Sequence, residues 1–95
     1  MITQALTEQI MGILKPYYPA RVSVFGSYAR GENNQESDLD ILIKFNERIG
    51  LLKLVQIEQE LSDKLGIEVD LVTENALKNP RLKNLVYQDL ITIYE

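Results

Sequence analysis

The sequence predicts a small α/β (α+β) fold: a mixed β-sheet with helices packed on one face. Three observations predict it. Short β-rich runs alternate along the chain with amphipathic helical runs. Residues 38–45 alternate apolar and polar almost without a break, the pattern of a half-buried strand. The chain has 95 residues, which supports one domain over residues 1–95.

Residues 3–14 carry Leu6, Ile10, Ile13 and Leu14 at helical spacing, and Pro16 and Pro19 end that helix. Residues 21–25 (Arg-Val-Ser-Val-Phe) read as a strand that stops at Gly26-Ser27. Residues 27–30 form a short helical turn, and residues 31–36 are a polar loop. In residues 38–45, Leu39, Ile41, Ile43 and Phe45 share one face; Asp38, Asp40, Leu42 and Lys44 share the other. Residues 51–65 form a helix with Leu51, Leu54, Ile57, Leu61 and Leu65 on one stripe, and Gly66 suits its C-terminal cap. Residues 67–72 form a third strand, with Ile67, Val69 and Leu71 facing one way and Glu68 and Asp70 the other. Thr73 caps a short helix, Pro80 starts or interrupts another that runs to about Gln88, and residues 90–94 form a last short strand. The order is α-β-turn-β-α-β-α-β, and the sheet face away from the helices carries the acidic residues.

Composition narrows the chemistry. The hydrophobic fraction is 45% and the charged fraction 25%, ordinary for a globular protein. There is no cysteine and no histidine, so disulfides, zinc-thiolate sites, histidine general bases and Cys–His nucleophile pairs are all excluded. Any metal must take oxygen ligands, which selects a hard ion such as Mg²⁺ or Mn²⁺. The formal net charge of −4 lacks the basic field of a nonspecific nucleic-acid binder. Small anionic substrates remain open, because a bound divalent ion inverts the local field. The first fifteen residues do not read as a signal peptide, and no stretch approaches transmembrane length, so the expected location is the cytoplasm.

Three features carry chemistry. Gly26-Ser27 ends a strand: a glycine admits close approach of a phosphate, the following helical turn offers free N–H groups, and Ser27 adds a hydroxyl. By itself Gly-Ser is more often a plain turn. Asp38 and Asp40 lie two apart on a strand and point to the same side, where like charges repel unless a cation neutralises them. The competing reading is a solvated strand face or a charged edge. Asp70, in Glu68-Val69-Asp70, sits on the polar face of the next strand. If the two strands are neighbours, three carboxylates converge into a site able to bind two metal ions with triphosphate oxygens. Alternation also puts Glu68 on that face and does not choose between the two.

Gly26-Ser27-Tyr28-Ala29-Arg30-Gly31-Glu32, ten residues from Tyr28 to Ser37, then Asp38-Leu39-Asp40, resembles the signature of the DNA polymerase β-like nucleotidyltransferase superfamily, which is Gly-Ser, ten residues, Asp-x-Asp. The fuller form is similar to that of its minimal nucleotidyltransferases, the MNT group, and the resemblance extends over most of the chain. It implies a compact nucleotidyltransferase core. It implies that Asp38 and Asp40 bind Mg²⁺, two ions in all, that Asp70 completes the triad and acts as base, and that Gly26 and Ser27 hold the β- and γ-phosphates of ATP. Arg30 matches the family arginine, either as a phosphate contact or as a structural partner of an acidic neighbour.

Many such short proteins resemble antitoxins of HEPN/MNT toxin–antitoxin pairs, in which the MNT protein moves AMP from ATP onto a tyrosine of the HEPN toxin, typically an RNase. A bare core has no further domain to recognise an acceptor, so it must meet the acceptor on a partner, and an acidic chain suits a basic one. Neither a membrane nor a nucleic-acid partner is expected. Three rival readings keep the fold: a non-enzymatic antitoxin that masks the toxin, a transferase acting on a small-molecule hydroxyl, and a subunit of a larger transferase. Tyr17, Tyr18, Tyr87 and Tyr94 read as packing or interface residues rather than catalytic ones.

Overall fold

The computed structural model describes residues 2–95; Met1, the first residue of the expected domain span, lies outside them. The elements are α1 (Gln4–Leu14), a 3-10 turn (Lys15–Tyr17), β1 (Pro19–Phe25), α2 (Ser27–Arg30), β2 (Leu39–Phe45), α3 (Leu51–Leu65), β3 (Val69–Thr73), a second 3-10 turn (Glu74–Ala76), α4 (Pro80–Gln88) and β4 (Ile91–Tyr94). The expected order therefore holds. Thr3 caps α1 by accepting from the Leu6 N–H at 3.1 Å, and Asn79 caps α4 through the Arg81 N–H at 3.0 Å. Gly66 ends α3 in the left-handed region, φ 71°, with its N–H on Ser62 O at 2.9 Å.

All four strands start at a different residue from the one expected: β1 two residues earlier, at Pro19, and β4 one later, at Ile91. Asp38 lies just before β2 rather than in it. The third strand starts at Val69 instead of residue 67, because the chain leaving the Gly66 cap needs residues 67 and 68 to turn onto the sheet; its ladder to β2 opens with the Leu39 N–H on Glu68 O at 2.8 Å. The strand then runs on through Thr73, whose hydroxyl accepts from the Ala76 N–H at 3.3 Å and so caps the second 3-10 turn as expected.

Among the described residues the sheet has four strands in the order β3-β2-β1-β4. β1 pairs antiparallel with both β2 and β4, whereas β2 and β3 are parallel, joined by the α3 crossover. One face packs on α1 and α3. Its core comprises Ile10, Ile13 and Leu14 of α1, Ile57 and Leu61 of α3, and Val22, Val24, Leu39, Ile41, Ile43, Val69 and Leu71 of the sheet. The other face is not purely acidic. Leu42 alternates onto it and is buried with Leu77 and Val86, ringed by Phe25, Val72 and Leu90. α4 therefore packs on this second face through Val86, beside Leu42.

Ile41 has no solvent exposure and sits mid-strand in the larger core. Ile41→Ala is expected to destabilise the fold by about 2–5 kcal/mol in urea unfolding. Leu52→Ala, at a position 81% exposed on α3, is expected to change stability by less than about 0.5 kcal/mol.

Candidate active site

The register of the sheet sets the site. β2 and β3 pair Asp40 with Asp70, and because parallel partners point the same way, both carboxylates rise from the α4 face of the sheet on adjacent strands. On the other side of β2, Phe25 of β1 pairs with Asp40, and Gly26 follows as the strand ends. Asp38 stands one residue ahead of β2 at the same end of the sheet. The sequence-predicted residues Gly26, Ser27, Asp38, Asp40 and Asp70 thus share one end of the sheet. Glu68, the alternative that alternation left open, lies outside β3 with its carbonyl engaged by Leu39, so the residue in register with Asp40 is Asp70.

Gly26 is required for a reason the sequence did not give. Its backbone, φ 75° and ψ −152°, lies in a region open essentially to glycine alone. A Cβ there would also collide with Oδ2 of Asp40 and come within 3.2 Å of its Cγ. The space a side chain would fill is occupied by the Asp40 carboxylate, so the glycine of the first half of the motif and the second aspartate of its other half are in van der Waals contact.

Asp40 is half-buried, and its pKa is pushed up to about 6, first by burial and then by the charges of Asp70 and Asp38, with Arg30 opposing. A carboxylate crowded by two others in partly desolvated surroundings is relieved by a divalent cation. The donors at this end are all carboxylate, hydroxyl and backbone oxygens, the set a hard ion takes. Among the described residues no three acidic side chains enclose a metal ion by themselves. The donor set nevertheless fits Mg²⁺ completed by phosphate oxygens, the usual coordination of that ion in phosphoryl-transfer sites.

Arg30 lies at the end of α2. Its Nη1 donates to Asp89 Oδ2 at 2.9 Å and its Nε to Glu32 Oε2 at 3.1 Å. These two carboxylates raise its pKa, Asp89 most. Of the two readings left open for Arg30, structural pairing is present in this arrangement, and Nη2 makes no hydrogen bond among the described residues. The sequence did not single out Asp89, which is the C-cap of α4, and no motif links residues 30 and 89. The pair is surface-exposed enough, with 42% of the Arg30 side chain accessible, that Arg30→Ala is expected to change stability by no more than about 1 kcal/mol in thermal unfolding.

The nucleotidyltransferase domain family matches residues 7–93 of the chain. A Methanocaldococcus jannaschii protein, provisionally named a protein adenylyltransferase, is 51% identical over 82 residues, 85% of this chain and 84% of the relative. The protein adenylyltransferase MntA of Thermococcus cleftensis is 45% identical over 85 residues, 90% of this chain and 86% of the relative. A toxin–antitoxin crystal structure with AMP-PNP superposes at a TM-score of 0.82 and 22% identity, covering 93% of this chain and 72% of that one. A complex of a tri-AMPylated Shewanella oneidensis HEPN toxin with its MNT antitoxin superposes at 0.77 and 20% identity, covering 98% and 72%. At these identities the two structures establish the fold. The chain belongs to the nucleotidyltransferase domain family. Within it, the chain falls in the MntA-like, minimal branch, and it is an enzyme that transfers a nucleotide.

Proposed function

We propose that this chain is a Mg²⁺-dependent protein adenylyltransferase that moves AMP from ATP onto a tyrosine hydroxyl of a partner HEPN-type toxin and so silences it. The observation that carries the reading is the register pairing of Asp40 with Asp70 beside the Gly26–Asp40 contact. It gathers an acidic pair and the Gly26-Ser27 turn at one end of the sheet. The names of the relatives support AMP as the transferred group and a protein as acceptor. The MNT antitoxin in complex with an AMPylated HEPN toxin supports the kind of partner.

In the reaction, the acceptor hydroxyl oxygen bonds to the α-phosphorus of ATP, the bond from that phosphorus to the bridging oxygen breaks, and pyrophosphate leaves. Asp38, Asp40 and Asp70 would hold Mg²⁺, which when bound neutralises charge on the transferring phosphoryl group and on the leaving oxygens. Asp70, exposed on the edge strand, takes the proton of the acceptor hydroxyl. Gly26 and Ser27 bind the β- and γ-phosphates through backbone N–H groups and the Ser27 hydroxyl. The unengaged Nη2 of Arg30 adds a charged donor to the same phosphates, while Asp89 and Glu32 fix the plane of the guanidinium.

The test is intact-mass spectrometry of a HEPN-type protein encoded beside this chain, incubated with it, ATP and Mg²⁺. A gain of whole AMP units, absent with Asp38→Asn/Asp40→Asn, is the expected result. Tight co-elution without a mass gain would replace the reading with a masking antitoxin.

A further inference from the structure

β3 is an edge strand, so every second N–H along it points away from the sheet. The outward ones belong to Val69 and Leu71, the residues on either side of Asp70, and neither is left to solvent. The Val69 N–H donates to Ser62 Oγ at 3.0 Å, and the Leu71 N–H donates to Glu58 Oε2 at 2.8 Å. Ser62 and Glu58 are four apart on α3, one above the other on the helix face that leans on β3. Helix side chains thus stand where a fifth strand would. The peptide groups of Asp70 itself point the other way, into the ladder with β2. Both sides of the backbone that carries Asp70 are thereby fixed.

We infer that Glu58 and Ser62 are positioning residues for nucleotide transfer: they clamp the amides flanking Asp70 and so hold its carboxylate in register with Asp40. The inference rests on the proposed role of Asp70. Neither residue reaches the reacting atoms, and Glu58 accepts the Leu71 N–H with one of its two oxygens. The alternative, a helix-to-edge contact that serves stability alone, predicts the same loss of melting temperature and no change in turnover while the protein is folded.

The experiment measures AMP transfer and backbone amide exchange for Glu58→Ala, Ser62→Ala, Glu58→Gln and Ser62→Thr, far below the melting temperature of each. Ile13→Val, in the core of α1 away from the site, serves as a control for modest destabilisation. In the metal-free protein, exchange at Val69 and Leu71 is expected to accelerate in the two alanine variants, which shows the clamp open without reference to activity. In those variants kcat falls about tenfold while KM for ATP stays within about twofold, since a displaced reacting group acts on the transition state. Glu58→Gln and Ser62→Thr keep an acceptor oxygen and restore kcat, and Ile13→Val leaves it unchanged. Faster exchange with an unaltered kcat would overturn the inference, as would a kcat loss that Ile13→Val reproduces. Full activity of Asp70→Asn would instead overturn the role of Asp70 and the clamp's function with it. Loss with Asp70→Asn but none with the alanine variants would overturn the clamp alone.

Discussion

Asp40→Asn is expected to abolish AMP transfer and, at the same time, to make the metal-free protein more stable. The first effect follows from removing a carboxylate of the metal-binding set, worth at least about 10³-fold in rate where charge stabilisation dominates the chemistry. The second follows from what the fold does to Asp40. Its pKa rises from the ordinary aspartate value to about 6 on folding, so the folded chain binds this proton more tightly than the unfolded chain does. Stability therefore falls as pH rises from about 4 to about 6, and above that the full penalty stands. The shift caps the penalty at about 3 kcal/mol, and partial solvent screening brings it nearer 1–2 kcal/mol. Asparagine mimics the protonated form. At pH 8 without metal, the variant is expected to melt roughly 5–10 °C above the parent in a chain of this size. At pH 4 the gap should close. With Mg²⁺ and AMP-PNP the order should narrow or reverse, because the ligand stabilises only the chain that binds it. Thermal melts at the two pH values, with and without Mg²⁺ and AMP-PNP, check each part.

Gly26→Ala is expected to damage both fold and activity, and Gly66→Ala to damage neither severely. The two glycines have nearly the same φ, 75° and 71°. At Gly66 nothing lies within 4 Å of an added Cβ, so the change carries only the left-handed backbone strain, about 1 kcal/mol. At Gly26 the backbone lies in a region strained by about 1–3 kcal/mol for any other residue, and the new methyl would meet the Asp40 carboxylate. Relief requires Asp40 to swing away from Asp70 or β1 to shift. Urea unfolding is expected to show a loss of about 2–4 kcal/mol for Gly26→Ala, and transfer activity a fall of at least about 100-fold, since a misplacement of one ångström suffices for that. Equal losses for the two alanine variants would mean the Asp40 contact is not what makes Gly26 necessary.

Most of the fold was legible because each element announced itself by period and punctuation. Residues 51–65 became a helix with those bounds, since the leucine stripe begins after Gly50 and a glycine follows it. The alternation in 38–45 put Leu39, Ile41 and Ile43 on the core face as expected, and the same alternation forced Leu42 beside Asp40. What it could not show is that Leu42 would be buried: that depends on α4 folding back over the second face, a contact between residues more than forty positions apart. Asp38 missed the ladder by one residue for a similar reason, since the start of β2 is fixed by where Glu68 meets Leu39.

The site was legible as a list and not as a geometry. Spacing brought Asp38 and Asp40 to one side, but whether Asp70 joins them depends on β2 and β3 being neighbours in parallel, which no local pattern states. The tie of Arg30 to Asp89 and the clamp of Glu58 and Ser62 on β3 are long-range pairings of polar residues that look like ordinary helix surface in the sequence. The need for Gly26 was visible, and its cause was not. Phosphate approach suggested the glycine, while the packed structure adds the Asp40 carboxylate already seated against it.

Transfer of the α-phosphoryl nucleotide to a protein hydroxyl is decided by parallel reactions with α-labelled and γ-labelled ATP. Each would contain this chain, Mg²⁺ and the HEPN-type partner. The α-label is expected to become covalently bound to a partner tyrosine while the γ-label is released entirely in pyrophosphate. Transfer of the γ-label to the partner, or recovery of the α-label entirely in free nucleotide with the partner unmodified, would contradict that reaction.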